Sequence, residues 1–327
     1  MTATSLRELI VTVCLCFCAL AGRAGAESPA DVPRVGLLLP SGDFQVAEDG
    51  LRQGLVERGF VVGKDVTIDT RRYGGSKEEL RALVGELIGA KVQLIVGVGT
   101  LAALAAMDAI PKVPVVCLAG DPTATGLAAS LARPAANATG VSILSAELTA
   151  KRLQYLHEFA PKASRIAYLA NSSNPVGVRQ RKEAQKAARA LGLKLTLVDV
   201  RNADELSAAL QVIRDRPADG YLISGDGVLF AHRNSIAHAV TEKKRPTIFP
   251  WSEYHENGAL MSYGPSMREA ARLVAGYVDK ILKGAKPGDL PVEQVSRYEF
   301  VINLRVAHEI GIDVPQALLL RADEVIR

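Results

Sequence analysis

The stretch LIVGVGTLAALAA, residues 94–106, indicates the fold class more clearly than any other part of the chain. Its first five residues are a continuous apolar run, which predicts a strand buried on both faces of a parallel sheet. Gly99 and Thr100 follow, and Thr100 begins an alanine-rich helical segment. A strand that passes through a short polar loop into a helix is the repeating unit of α/β proteins, so this stretch predicts that class.

Strands and helices of the same kind alternate along the rest of the chain. The predicted strands are 35–39, 66–70, 94–98, 113–118, 165–169, 194–198, 220–223, 260–263 and 299–302. The predicted helices are 48–58, 77–89, 147–159, 178–191, 204–214 and 266–282. An irregular stretch at 133–140 divides the pattern into two similar series. We therefore predict an α/β fold of two Rossmann-like lobes with parallel sheets, joined by several hinge strands.

Crossings between the predicted lobes define the expected domain organisation. The chain is expected to pass to the second lobe at 133–140 and to return at 246–251. Lobe 1 is then expected to comprise 33–140 plus about 251–285, and lobe 2 to comprise 141–250 plus about 286–327. Two lobes connected in this way are typical of proteins that close around a ligand by bending at a hinge.

The first 26 residues have the features of a secretory signal peptide. Arg7 gives a positive start, residues 9–20 form an uncharged apolar run, and Ala24-Gly25-Ala26 supplies a cleavage site of small residues. The apolar run is too short to span a bilayer as a helix. We therefore expect cleavage near Ala26 and a periplasmic mature protein.

Composition argues against several other classes of protein. Hydrophobic residues make up 48% and charged residues 23% of the chain, as in ordinary globular proteins. The formal net charge of +4 is small and evenly spread, so nucleic acid is not an expected partner. Cys117 is the one cysteine outside the predicted leader, so no intramolecular disulfide is expected. The mature chain is expected to be a monomer that is not embedded in a membrane.

Polar residues and aromatic rings follow the predicted strands in both halves of the chain, where ligands bind in open parallel sheets. The candidate ligand-binding residues are Ser41, Phe44, Thr100, Asp121, Asn174, Asp226 and Tyr263. The helix that begins at Thr100 would favour an anion such as a carboxylate, because its first N–H groups are unpaired. Asp121 and Asp226 would hold an ammonium group from either side, and Phe44 and Tyr263 would stack on a ring. Together these residues predict a small polar or amino-acid-like ligand.

The same candidates also suit purely structural roles, and both interpretations stay open at this point. Asp121-Pro122 is a common turn sequence, and Asn174-Pro175 is a common helix start. Phe44 and Tyr263 are apolar enough to belong to the core.

Several segments resemble one type of ABC-transporter substrate-binding protein, the type that includes tryptophan- and tyrosine-binding members. They include GLRQGLVERGFVVGKDV (50–66), VGTLAALAA (98–106), DPTATGLAASLARPAANATG (121–140) and FVINLRVAHEIGIDVPQALLLRADEVI (300–326). The resemblance covers essentially the whole mature chain, and the run 263–323 is its most specific part. It departs from the family pattern at Leu101 and at Ala135-Ala136.

The resemblance implies a type I periplasmic-binding-protein fold and a protein that is not an enzyme. It implies delivery of a small molecule to an ABC permease in the inner membrane, with no cofactor. Thr100 and Asp121 match the family pattern more securely than Asp226 does. Because Leu101 adjoins an expected ligand loop, the ligand need not be that of a known member.

Parts of the sequence also match two other functions. Residues 97–102 match the G-x-G-x-x-A dinucleotide fingerprint, with Asp121 about twenty residues on, but they follow the third predicted strand instead of the first. A dinucleotide-dependent enzyme is therefore the weaker hypothesis. His157, His255 and His308 each precede a glutamate but lack the second histidine of a zinc motif, so no metal is expected. A periplasmic ligand-sensing subunit of a membrane receptor would show the same sequence features, and this alternative stays open.

Overall fold

Apolar strands of five to seven residues form the centre of the first sheet in the computed structural model, and apolar strands of three to six residues form the centre of the second. The structure describes residues 32–42, 44–109, 112–134 and 137–327. The predicted signal peptide lies outside the described residues. Pro33 to Arg327 form one compact unit. No helix in the described part of the chain is both long and apolar enough to cross a membrane.

The strands and helices are numbered here in chain order. The strands are β1 (Arg34–Pro40), β2 (Thr67–Tyr73), β3 (Leu94–Val98), β4 (Val115–Ala119), β5 (Ala138–Ser142), β6 (Arg165–Ala170), β7 (Lys194–Asp199), β8 (Gly220–Ile223), β9 (Thr247–Phe249), β10 (Met261–Gly264), β11 (Glu293–Gln294), β12 (Glu299–Asn303) and β13 (Glu324–Ile326). The α-helices are α1 (Gln45–Val56), α2 (Lys77–Gly89), α3 (Thr100–Ala109), α4 (Ser145–Phe159), α5 (Pro175–Ala190), α6 (Leu206–Asp215), α7 (Gly227–Ala231), α8 (Arg233–Thr241), α9 (Met267–Leu282), α10 (Leu304–Ile310) and α11 (Gln316–Leu319).

Each sheet is doubly wound, with the same order of its first five strands. The first sheet has the order β11-β5-β4-β3-β1-β2, and the second has the order β13-β12-β10-β9-β8-β6-β7. All pairings are parallel except that of β10 with β12. We call each sheet with its helices a lobe. This architecture confirms the predicted α/β class with two lobes.

The strand order places a topological switch point in each lobe. In the first sheet, β1 has β2 on one side and β3 on the other, and in the second sheet β6 lies likewise between β7 and β8. The loops that follow such strands diverge and leave a crevice at the carboxyl edge of the sheet. Residues after β1, β3, β6 and β8 are therefore the ones that the fold brings to a ligand.

The last third of the chain is shared between the lobes differently from the sequence expectation. Residues 251–285 were expected in the first lobe, but β10 lies in the second sheet. Residues 286–327 were expected in the second lobe, but β11 pairs with β5 of the first sheet. The sequence pattern identified β10 as a strand, but the sheet that it joins depends on its pairing with β9 and β12.

Helix α9 packs against α1 at two glycines of the first lobe. A Cβ at Gly50 would lie 2.3 Å from the backbone oxygen of Arg268, and one at Gly54 would lie 2.5 Å from that of Arg272. The Arg272 guanidinium also forms an ion pair of 2.8 Å with Glu57. The two helix backbones therefore approach closely because neither glycine carries a side chain.

Candidate functional site

Residues from both lobes line one small cavity at the carboxyl ends of the central strands. Phe44 and Thr100 come from the first lobe, and Asn174 and Asp226 from the second. The cavity volume is about 30 Å³. These are four of the seven residues that the sequence indicated as ligand-binding, and the switch points of the two sheets explain why they meet.

Asp226 places a buried carboxylate at this cavity. Its Oδ1 accepts hydrogen bonds from the N–H groups of Val228 at 2.9 Å and Leu229 at 3.2 Å. Its Oδ2 accepts from Nδ2 of Asn174 at 2.8 Å and of Asn171 at 3.2 Å. Burial raises the pKa of Asp226, although these hydrogen bonds act in the opposite direction.

No cationic side chain in the described part of the chain forms an ion pair with Asp226. All four of its hydrogen-bond donors are neutral amides. A buried charge without a counter-charge is costly. The site is therefore suited to a ligand that brings a positive group.

Asn174 has both of the roles that the sequence left open. Its Oδ1 accepts from the N–H of Val176 at 3.2 Å and caps α5, while Pro175 occupies the first turn. Its Nδ2 donates to Asp226 inside the cavity. The cap fixes the amide so that its nitrogen faces the carboxylate.

Thr100 lines the cavity from the first lobe, in the first turn of α3. It is 1% exposed, and its Oγ1 accepts a hydrogen bond of 3.4 Å from the N–H of Gly120. The preceding Gly99 has a φ of +97°, and a Cβ there would lie 2.7 Å from the Tyr73 hydroxyl, so only glycine suits this turn. The first N–H groups of α3 give this side of the cavity a positive potential.

Three aromatic rings pack together beside the cavity. The rings of Phe44 and Phe230 meet edge to face with centroids 4.8 Å apart, and those of Phe230 and Trp251 do so at 5.0 Å. Phe44 and Trp251 line the cavity. We call Phe44, Phe230 and Trp251 the aromatic cluster. It joins the lobes, because Phe44 follows β1 and Phe230 belongs to α7.

Asp121 lies outside the cavity lining, and its charge already has a partner. Its Oδ2 is 2.9 Å from Nε of Arg179, which projects from α5 of the opposite lobe. Its Oδ1 accepts from Thr123 and Ala124 at 3.4 Å each, as in a turn. The expected contact between Asp121 and a ligand ammonium group stays a prediction, and in this structure the carboxylate pairs with Arg179.

Ser41 and Tyr263 are not brought to the cavity either. The N–H of Ser41 donates to the Tyr73 carbonyl at 2.7 Å, and Ser41 is not among the lining residues. Tyr263 lies in β10, where its ring contacts Tyr155 at a centroid distance of 5.1 Å. It belongs to an aromatic group inside the second lobe, because β10 joined the sheet that the sequence pattern did not indicate.

Ser145, Met267 and Trp251 also line the cavity, although they are not among the candidates that the sequence indicated. Ser145 begins α4, two residues before the predicted helix start, so its position at a helix terminus was missed. Trp251 follows β9, a strand of three residues that was too short to be recognised. Among the described residues, no group of three or more His, Cys, Asp or Glu side chains could hold a metal ion.

The chain is similar to known proteins both in sequence and in structure. A tyrosine-binding protein of Clostridioides difficile is 23% identical over 259 residues, which are 79% of this chain and 74% of that protein. An ABC domain in complex with L-Trp from Streptococcus pneumoniae is 25% identical, with a TM-score of 0.81 over 90% of this chain and 99% of that one. The ligand-free, open structure of a substrate binding protein from Clostridium difficile is 23% identical, with a TM-score of 0.61 and the same coverage.

The model of the family described as ABC transporter substrate binding protein matches residues 40–326. The match extends from the end of β1 to the last strand, so it includes both lobes and every cavity residue named above. Such proteins bind a substrate and are not enzymes, which confirms the prediction that the chain is a non-enzyme. As the resemblance in sequence predicted, this chain belongs to the ABC transporter substrate-binding protein family.

Proposed function

We propose that this chain is the periplasmic solute-binding component of an ABC importer, and that it binds an amino-acid-like ligand between its lobes. The observation that carries the proposed ligand class is Asp226, a 4% exposed carboxylate with no cationic partner among the described residues. An ammonium group supplies the missing positive charge. We therefore assign the ammonium contact to Asp226 alone, although the sequence indicated both Asp121 and Asp226.

A second group on the ligand is expected to bind at the side of the cavity formed by Thr100. The Thr100 hydroxyl, the first N–H groups of α3 and the nearby Ser145 hydroxyl all suit a carboxylate. Thr100 belongs to the first lobe and Asp226 to the second. A ligand with both groups would therefore connect the lobes, and its binding would favour their closed arrangement.

Contacts between the lobes support the proposal that the described arrangement is the closed one. The N–H of Ala203 donates to the Gly74 carbonyl of the other lobe at 3.3 Å. A Cβ at Gly227 would lie 2.8 Å from Pro40. The TM-score is also higher for the L-Trp complex, 0.81, than for the ligand-free open structure, 0.61.

The similar proteins support an amino acid as the ligand class. One is named as a tyrosine-binding protein, and another was solved with L-Trp. Export by the predicted signal peptide, a monomeric mature chain and an ABC permease partner belong to the same proposal. Loss of uptake of the ligand in a strain that lacks the gene would test the permease partnership. A lost signalling response with uptake intact would favour the receptor subunit instead.

Substitution of Asp226 tests the proposed ligand class. The mature protein is unfolded, washed free of bound ligand, refolded and screened against the standard amino acids by thermal shift and calorimetry. We expect at least one amino acid to raise the melting temperature, because a ligand that binds only the native state stabilises it. Asp226→Asn should abolish that shift, since its oxygen can still cap the helix but its amide offers no charge and replaces the acceptor of the Asn171 and Asn174 amides with a donor.

Asp215→Asn is the matched control, because Asp215 is an exposed aspartate at the end of α6. It should retain the full ligand-induced shift. Undiminished binding of an amine-bearing ligand by Asp226→Asn would refute the proposed contact.

A further inference from the structure

We propose that Gln180 is a positioning residue for the ligand, because its side-chain amide holds the backbone that carries the Asp226 carboxylate. This inference rests on the proposed function and adds a residue that the sequence did not indicate. Gln180 lies in α5 of the second lobe and is 0% exposed. It is not among the residues that line the cavity, so it acts on the ligand through Asp226 and not by direct contact.

The Gln180 amide forms two hydrogen bonds with one residue, Gly225. Its Nε2 donates to the Gly225 carbonyl at 2.8 Å, and its Oε1 accepts from the Gly225 N–H at 3.1 Å. Because a carbonyl only accepts and an N–H only donates, these partners determine which end of the amide is oxygen and which is nitrogen. The two bonds fix the peptide groups on both sides of Gly225, and the second of these groups continues into Asp226.

Gly225 depends on this support because it lies just beyond the second sheet. Strand β8 ends at Ile223, so its pairing with β6 and β9 does not extend to Gly225. Gly225 is buried, and a buried peptide group without a partner is costly. Glycine also has more backbone freedom than any other residue. Gln180 therefore supplies the hydrogen bonds that a neighbouring strand would supply elsewhere in the sheet.

The position of Gly225 also affects other residues of the cavity. Gly225 is part of the lining, and a Cβ there would lie 3.3 Å from Cζ2 of Trp251 and 3.5 Å from Oγ of Ser145. A shift of this backbone would therefore change its contacts with two further lining residues as well as the direction of the Asp226 side chain.

Helix α5 supports Asp226 at two points. Asn174 at its N-terminus donates to the Asp226 carboxylate at 2.8 Å, and Gln180, six residues later, holds the preceding Gly225. The regular geometry of the helix keeps these two amides at a constant separation. One element thus holds both the carboxylate and the backbone that carries it. Such preorganisation favours binding, because the site does not have to be ordered by the ligand.

Hydrogen exchange of the unliganded protein tests the support itself. Gln180→Met removes both hydrogen bonds and keeps an unbranched side chain of similar length. We expect amide exchange in segment 225–229 to become at least about 10-fold faster, while exchange in β3 of the first lobe stays unchanged. Gln180→Asn, whose amide is one methylene shorter, serves if Gln180→Met does not fold.

The preference for an amino acid over its des-amino analogue tests the role in binding. Each amino acid that binds in the screen is paired with the acid that lacks only its amino group, such as propionate for alanine or indole-3-propionate for tryptophan. Because Gln180 acts through Asp226, Gln180→Met should reduce the preference measured by calorimetry at least about 5-fold. A role in stability alone would weaken both members of a pair equally.

Gln211→Met is the matched control, because Gln211 is an exposed glutamine in α6 of the same lobe. It should change neither the exchange nor the preference. Unchanged exchange in segment 225–229, or an unchanged preference, in the Gln180 variant would overturn the positioning role, while the proposed function would stand. Binding of no standard amino acid by wild-type protein would overturn the proposed amino-acid ligand, and the role of Gln180 with it.

Discussion

Asp226 combines two properties that oppose each other in an unliganded protein. Four neutral donors favour its ionised form, and burial disfavours that form more strongly, so its pKa is raised. The folded protein therefore binds this proton more readily than the unfolded chain does. As pH rises from the pKa of Asp226 in the unfolded chain to its higher pKa in the folded protein, Asp226 lowers the stability of the unliganded protein. A bound ammonium group removes this effect by stabilising the ionised carboxylate.

The raised pKa of Asp226 predicts that ligand binding weakens in acid. Protonation removes the charge that attracts the ammonium group, and the loss should begin at a pH above the ordinary aspartate range. Calorimetry from neutral to acidic pH would measure the affinity. The affinity should fall and approach a tenfold loss for each pH unit below the pKa. A constant affinity over that range would show that Asp226 is not ionised when it binds the ligand.

Four of the candidate residues line the cavity, and their positions could be predicted from the sequence pattern next to them. Thr100, Asn174 and Asp226 each follow a predicted strand at a switch point and lie at the start of a helix. The strands and the helices after Thr100 and Asn174 were visible in the chain itself, but the five-residue helix after Asp226 was not. Asp121 also follows a strand, but its partner Arg179 is fifty-eight residues away on another lobe. That pairing depends on how the lobes close, which no local pattern reports.

At the scale of elements, helix α9 is held to the first lobe although β10 immediately before it belongs to the second sheet. Its amphipathic pattern predicted the helix but not its partner. The partner is decided by the flat surface that Gly50 and Gly54 leave on α1. Apolar strands were easier to predict than this helix contact, because a continuous apolar run by itself indicates a strand that is buried on both faces.

Two glycine substitutions test the packing of α1 on α9. Gly50→Ala should lower the free energy of unfolding by about 1–3 kcal/mol, because the new methyl group would lie 2.3 Å from the Arg268 carbonyl oxygen. Gly85→Ala in α2 meets nothing within 4 Å and should raise it by about 0.5–1 kcal/mol through helix propensity. Denaturant unfolding compares the two. A stability gain in both variants would contradict the close approach of the helices.

At the scale of the whole molecule, the aromatic cluster and one ion pair connect the two lobes across the proposed ligand cleft. The pair of Asp121 and Arg179 is only partly buried, since the two side chains are 10% and 47% exposed. Partly exposed pairs contribute about 0.2–1 kcal/mol. That is enough to shift the balance between open and closed arrangements without fixing it.

The ion pair therefore predicts a small, salt-dependent contribution to affinity. Asp121→Asn and Arg179→Gln should each weaken ligand binding by up to about 5-fold at low salt, and the difference from wild type should shrink in high salt. A double-mutant cycle measured by calorimetry separates the pair from the turn that Asp121 also supports. Strictly additive effects of the two substitutions would show that the pair does not contribute to closure.

The chain contains one tryptophan, and that residue lines the ligand cavity at the meeting point of the two lobes. All indole fluorescence of the native protein therefore originates beside the proposed ligand site. Amino acids without an aromatic side chain are transparent at the wavelengths that excite an indole, so their binding can be followed by emission alone, without a dye or label. Stopped-flow records of that emission would give capture and release rates for the transport cycle directly.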